Sequence, residues 1–152
     1  MTTSTLPEIE NLSFTVTQEI RVNAPLEVTF DSLLEQLVDN EMHDGTKMPM
    51  KLEPLPGGRW YRDLGNNNGH LWAHVQAIKR PTLLEFAGPL MMSYPVSNNV
   101  QYRLSEADGV TTIKFHHSAF GLIDESHRKG VSGGWGYINE RIRQRAEAKA
   151  AR

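Results

Sequence analysis

The chain has 152 residues, 39% hydrophobic and 22% charged, with a formal net charge of −2; this size and balance fit one globular domain and not a disordered chain. The near-neutral charge gives no support to nucleic-acid binding or a polybasic membrane anchor, and no apolar run approaches the roughly 18 residues of a membrane span. Cysteine is absent, which excludes disulfides, thiolate catalysis and thiolate metal sites together.

Residues 1–11 carry small polar side chains, one proline and no periodicity, and read as a flexible N-terminal tail ahead of a single domain at 12–152. The opening residues show neither the basic nor the apolar region of a secretion signal, so a cytoplasmic location is expected. Phe14, Val16, Ile20 and Val22 then alternate with Thr15, Thr17, Glu19 and Arg21, the period of a half-buried strand. Pro25 suits the first position of a helix, and Leu26, Phe30, Leu33, Leu34, Leu37 and Val38 recur at helical spacing over about 13 residues. From Met48 the texture changes. Turn signals such as Pro56-Gly57-Gly58, Arg80-Pro81, Gly88-Pro89 and Asp108-Gly109 separate short segments rich in aromatic and β-branched residues. Strands are expected near 48–55, 59–64, 70–79, 83–92, 97–105 and 110–118, forming an antiparallel meander. Residues 121–131 read as a polar connection, either irregular or in part helical, and Ser132 as the N-cap of a last helix reaching about residue 150. Trp135, Ile138, Ile142 and Ala146 form its apolar stripe, while Arg141, Arg143, Arg145 and Lys149 read as its solvated face. The expected fold is therefore α+β: a seven-stranded curved antiparallel sheet wrapped around a long C-terminal helix (β-α-β6-α), with space for a ligand between them.

Several segments resemble a known family. Ile20-Arg21-Val22-Asn23-Ala24-Pro25 resembles the opening of START/SRPBCC-like proteins, which share the helix-grip fold of the birch pollen allergen. Leu55-Pro56-Gly57-Gly58-Arg59-Trp60, the run from Gly69 through Leu84, and Phe115-His116-His117-Ser118 followed by Gly133-Gly134-Trp135 resemble the subfamily named for the activator of the heat-shock protein 90 ATPase. The resemblance covers 14–149 and implies the fold more than an activity. Its members include binders of hydrophobic small molecules, aromatase/cyclase-like enzymes and chaperone-regulating domains. Two departures stand out. Ala73 replaces a usual glycine, and the tryptophan that many relatives carry after the first helix is missing from Glu41-Met42-His43-Asp44-Gly45-Thr46-Lys47. A different pocket mouth is implied. The chain is too short to hold the activator's separate chaperone-contacting domain as well, so direct chaperone activation is not expected.

Gly130-Val131-Ser132-Gly133-Gly134 matches the G-x-S-x-G nucleophile pattern, but no buried strand precedes Ser132 and no histidine or aspartate follows it. An N-cap serine explains it better. Among six histidines, His70 and His74 lie about 13 Å apart on one strand, too far to share an ion, and His116 and His117 point to opposite faces. No metal or cofactor is expected. His117 shares strand parity with Ile113 and Phe115, which makes it either a satisfied core histidine or a pocket acid–base group. Arg62 shares parity with Trp60 and is either an edge residue or an anion anchor. The cavity candidates are Trp60, Arg62, Phe86, Met91, Tyr94, Tyr102, Phe115, His117, Phe120, Trp135 and Ile138. Trp72 is ambiguous: strict alternation with Leu71, Ala73 and Val75 would place it outside with His70 and His74, as part of a partner or homodimer surface. The preferred function is binding of a small hydrophobic or mixed-polarity ligand. A cyclase- or hydratase-like enzyme using His117 and Arg62, and a stress-response interaction module, are the alternatives.

Overall fold

The computed structural model describes residues 8–42 and 44–152, apart from the side chain of Ile9. The flexible tail expected at 1–11 therefore lies mostly outside the described residues. Its last part enters a 3-10 turn, Ile9–Leu12, whose end is held by Arg128: the guanidinium donates to the carbonyls of Ser13 at 2.7 Å and Asn11 at 2.9 Å. Strand β1, Ser13–Val22, follows, then helix α1, Leu26–Val38. Pro25 sits one position before its expected place, as an extended residue at the N-cap, where its carbonyl accepts from the backbone N–H and hydroxyl of Thr29.

Six strands make the meander: β2 (Lys51–Leu52), β3 (Arg59–Gly65), β4 (Asn68–Lys79), β5 (Leu83–Gly88), β6 (Val96–Ala107) and β7 (Val110–Gly121). All pairings are antiparallel, in the order β1-β7-β6-β5-β4-β3-β2. Chain neighbours β1 and β2 thus occupy opposite edges, and α1 carries the chain between them. The expected second strand shrinks to two residues, and the expected 83–92 strand stops at Gly88, leaving 89–95 as a loop.

Helix α2 runs Glu125–Ala150 and packs against α1 and β1. It starts seven positions before Ser132. Asp124 is the true N-cap, accepting from the Ser126 N–H at 2.8 Å. Ser132 lies inside the helix and uses its carbonyl to accept from Gln18 Nε2 at 3.1 Å. The basic run is not a free face. Arg145 reaches Glu35 of α1 and its C-cap Asp39, Lys149 reaches Glu35, Arg141 pairs with Glu41, and Arg143 pairs with Glu140 and Glu147 of its own helix. These partly exposed pairs orient α2 on α1 more than they stabilise it.

The covered sheet face carries Val16 and Val22 of β1, Leu84 and Phe86 of β5, Val100, Tyr102 and Leu104 of β6, and Ile113, Phe115, His117 and Ala119 of β7, all buried. Strict alternation holds along β6 and β7 and fails along β4. There the register passes from Trp60↔Ala73 to Tyr61↔Leu71, so Trp72 is a bulged, unpaired residue. The bulge turns consecutive residues Trp72 and Ala73 both into the core. Gly88 makes room for it, because a Cβ there would lie 2.4 Å from the Trp72 carbonyl oxygen. Trp72 packs edge-on against Trp60 at 5.1 Å, and Trp60 against Phe86 at 5.0 Å. The ambiguity at Trp72 is thereby resolved: it lies in the core and not on an outer patch with His70 and His74.

Candidate functional site

An apolar cleft of about 350 Å³ opens between the N-terminal half of α2, the end of α1 and the 89–95 loop. Helix α2 contributes Gly130, Val131, Gly134, Trp135 and Ile138; the loop contributes Leu90, Met91 and Met92; Met42 and Met48 come from the segment after α1; and Trp72 lies on the sheet side. Polar groups sit at its rim: Asn40, Glu41 and Tyr137 near α1, Ser126 and His127 near the start of α2.

The space exists because of residue choice. Gly130 and Gly134 are one helical turn apart on one face, and a Cβ built on either meets nothing within 4 Å. Glycine inside a helix costs about 1 kcal/mol relative to alanine, and here no close neighbour requires it. Leu90 adds a second local cost. It is buried at φ +54°, a left-handed conformation worth roughly 1–2 kcal/mol against a side-chain-bearing residue. Its N–H is held by the Trp72 carbonyl at 2.8 Å. The methionines add flexible, polarizable walls that fit irregular shapes.

Below the cleft lies a hydrogen-bonded chain through the core. Trp135 Nε1–H donates to His117 Nδ1 at 2.8 Å, so His117 carries its proton on Nε2 and donates it to Asn98 Oδ1 at 2.7 Å. Asn98 Nδ2 donates in turn to the carbonyls of Gly88 and Pro89. Burial first, then the neighbouring His116, pushes His117 down to about 4. A second chain links Tyr102 Oη–H to Asn139 Oδ1 at 2.8 Å and Asn139 Nδ2 to Gln18 Oε1 at 2.8 Å. Burial raises the Tyr102 phenol. At the rim, Glu41 accepts from Lys47 at 3.2 Å and Tyr137 at 3.0 Å and lies 2.9 Å from Arg141. The Lys47 hydrogen bond, then that of Tyr137, holds its carboxyl below the usual range. Tyr94 Oη accepts from the Asp124 N–H at 3.2 Å and shares a hydrogen bond with His127 Nδ1 at 2.7 Å, and the two rings stack.

The sequence candidates separate accordingly. Met91, Trp135 and Ile138 line the cleft, and Tyr94 adjoins it through His127. Trp60, Phe86, Tyr102, Phe115 and His117 are buried beneath it, and none of them lines it. His117 has both nitrogens engaged and does not reach the cleft, which removes it as a pocket base. Phe120 is 55% exposed, because the alternation that turns His117 and Ala119 inward turns residue 120 outward. Arg62 does not border the cleft: beyond the Trp72 bulge the β3–β4 hairpin is uncovered, and Leu64, of the same parity, is 65% exposed. The cleft residues absent from the sequence candidates include Gly130, Gly134, Val131, Asn40, Glu41, Tyr137 and His127. No local pattern marked them, because Gly130 falls in the stretch read as a polar connection ahead of the expected helix. Among the described residues no three His, Asp or Glu side chains converge as metal ligands would, and no helix is long and apolar enough to cross a membrane.

A curved antiparallel sheet closed by a long C-terminal helix, with an apolar cleft under that helix, defines an α+β protein of the helix-grip class. Residues 23–147 match the family model described as activator of Hsp90 ATPase homolog 1-like protein, and the chain belongs to that family. Solved structures share the fold at low identity. A putative uncharacterized protein from Rhizobium leguminosarum superposes with a TM-score of 0.70 at 15% identity, covering 90% of this chain and 95% of that one. The di-domain ARO/CYC StfQ of the steffimycin biosynthetic pathway gives 0.67 at 9% identity over 95% of this chain and 54% of its own. Ara h 8.0201 gives 0.66 at 13% identity over 90% and 99%. No protein of curated function matches the chain.

Proposed function

We propose that this protein binds a small, largely hydrophobic molecule in the cleft beneath the N-terminal half of α2. The observation that carries the reading is the cleft of about 350 Å³ roofed by Gly130 and Gly134. Two helix glycines that touch nothing destabilise the helix, and the room they leave is what a ligand would use. The volume falls within the range of small-molecule sites, and the lining is apolar with a few polar groups at the rim, as such sites are built. Membership of the family is consistent with a ligand-binding domain.

Native mass spectrometry of the freshly purified protein, followed by denaturing extraction, tests this directly. The expected result is a small-molecule adduct that leaves on unfolding. The control is Gly134→Met, which fills the cleft from its roof. Retention of the adduct by a folded Gly134→Met protein would place the ligand elsewhere and end the reading.

A further inference from the structure

Four of the chain's six methionines, Met42, Met48, Met91 and Met92, line the cleft, and solvent reaches them unequally. Met92 is fully buried, and its sulfur accepts from Asn98 Nδ2 at 3.8 Å. Met48 is half-buried. Met42, from the segment after α1, and Met91, from the 89–95 loop, are 48% and 42% exposed. A side chain that lines an apolar cleft and still meets solvent stands at its mouth. Met50 is buried and lies outside the cleft. The 152 residues contain no cysteine, so no thiolate competes for an oxidant, and the polarizable thioether is the sulfur this chain offers.

Resting on the binding reading above, we propose that Met42 and Met91 are oxidation sites through which hydrogen peroxide closes the cleft to its ligand. A lone pair of the thioether sulfur attacks one peroxide oxygen. The O–O bond breaks as the S–O bond forms, and the other oxygen leaves as water; the sulfur loses two electrons and the peroxide gains them. A flexible apolar wall thereby becomes a polar sulfoxide. The lining offers its oxygen little in return: Trp135 Nε1–H and Tyr137 Oη–H are already given to His117 and Glu41. A hydrophobic ligand seated against the mouth must desolvate the sulfoxide without pairing it, so binding weakens. Buried Met50 and Met92 are shielded from the dose that modifies the mouth. Methionine sulfoxide reductases remove the added oxygen as water with two electrons from a dithiol, which makes the change reversible.

The test treats the whole folded chain with graded hydrogen peroxide and places each added oxygen by peptide mapping in the mass spectrometer. Binding is read by fluorescence titration with N-phenyl-1-naphthylamine, an uncharged apolar probe. Met42 and Met91 are expected to gain oxygen before Met50 and Met92. The dissociation constant of the probe rises about tenfold as they do, while the far-ultraviolet circular dichroism holds. Methionine sulfoxide reductases A and B with dithiothreitol bring the affinity back. The double variant Met42→Leu with Met91→Leu, compared with its own untreated form, shows no such rise. Unchanged probe binding with both residues fully oxidised would leave the cleft reading standing and overturn this proposal. A loss that follows Met48, Met50 or Met92, or that accompanies unfolding, would overturn it as well. No probe binding by the untreated protein would remove the cleft reading and this proposal together. The wild-type oxidation and repair series decides the matter even if the double variant does not fold.

Discussion

His117 is neutral in the fold because its neighbours demand it. Trp135 needs an acceptor at Nδ1, Asn98 takes the proton of Nε2, and burial opposes a positive charge. A histidine pushed down to about 4 binds its proton less readily folded than unfolded. Above its ordinary value of about 6.5 it adds no pH dependence. As pH falls from there toward 4, the unfolded chain takes up the proton first and stability is lost, by up to about 3 kcal/mol. Denaturant unfolding measured between pH 7 and pH 4 is expected to show this slope, and His117→Gln to flatten it relative to wild type. Glu41 adds loss of the same sign further down, as its lowered carboxyl is protonated. Trp135→Phe keeps the ring but leaves His117 Nδ1 without a donor, and is expected to cost about 1–3 kcal/mol in equilibrium unfolding. By sequence alone His117 is either a core residue or a pocket base. Strand parity turned it inward; what it would meet there depended on Trp135 and Asn98, far away in the chain.

Helix α2 is the element where stability and proposed function pull apart. Gly130 and Gly134 weaken it, and their positions face the cleft. Gly130→Ala and Gly134→Ala are each expected to raise stability by up to about 1 kcal/mol, read from the thermal midpoint, while narrowing the cleft. Gly134→Met is expected to abolish probe binding while the far-ultraviolet circular dichroism stays that of the wild type. If both helix glycines accept large side chains with no loss of binding, the roof is not the site. The sequence pattern located the apolar stripe of α2 from Trp135 to Ala146 and not its start, because the polar, glycine-bearing first part of the helix, 125–134, has no apolar period to read. The strand pattern failed in β4 for another reason. Alternation assumes an unbroken ladder, and the bulge at Trp72 inverts the faces within one residue.

For the molecule as a whole, the cleft couples ligand to fold. A molecule that binds only the folded state stabilises it in proportion to the logarithm of its concentration over its dissociation constant, about 2.7 kcal/mol at a hundredfold excess. A bound probe is therefore expected to raise the thermal midpoint of the wild type by several degrees for a chain of this size, and to leave Gly134→Met where it was. The anchoring of α2 works at this scale too. Arg141, Arg145 and Lys149 join it to Glu41, Glu35 and Asp39, and Trp60 Nε1–H bonds the Leu37 carbonyl at 2.9 Å, so both helices are tied to each other and to the sheet around the cleft.

The order of elements, the antiparallel meander, the amphipathic faces of α1 and of the C-terminal half of α2, and the family resemblance are all legible in the amino-acid sequence. These rest on local periods and turn chemistry, which short stretches of chain carry without outside help. Which aromatic residues face the cleft and which lie beneath it, where Arg62 and Phe120 point, and how Asn40 Oδ1 is buried with no hydrogen-bond partner among the described residues are settled by tertiary packing. Those outcomes depend on a bulge, on loop courses and on the docking of one helix across a sheet, where residues far apart in the chain meet and no local pattern records the meeting.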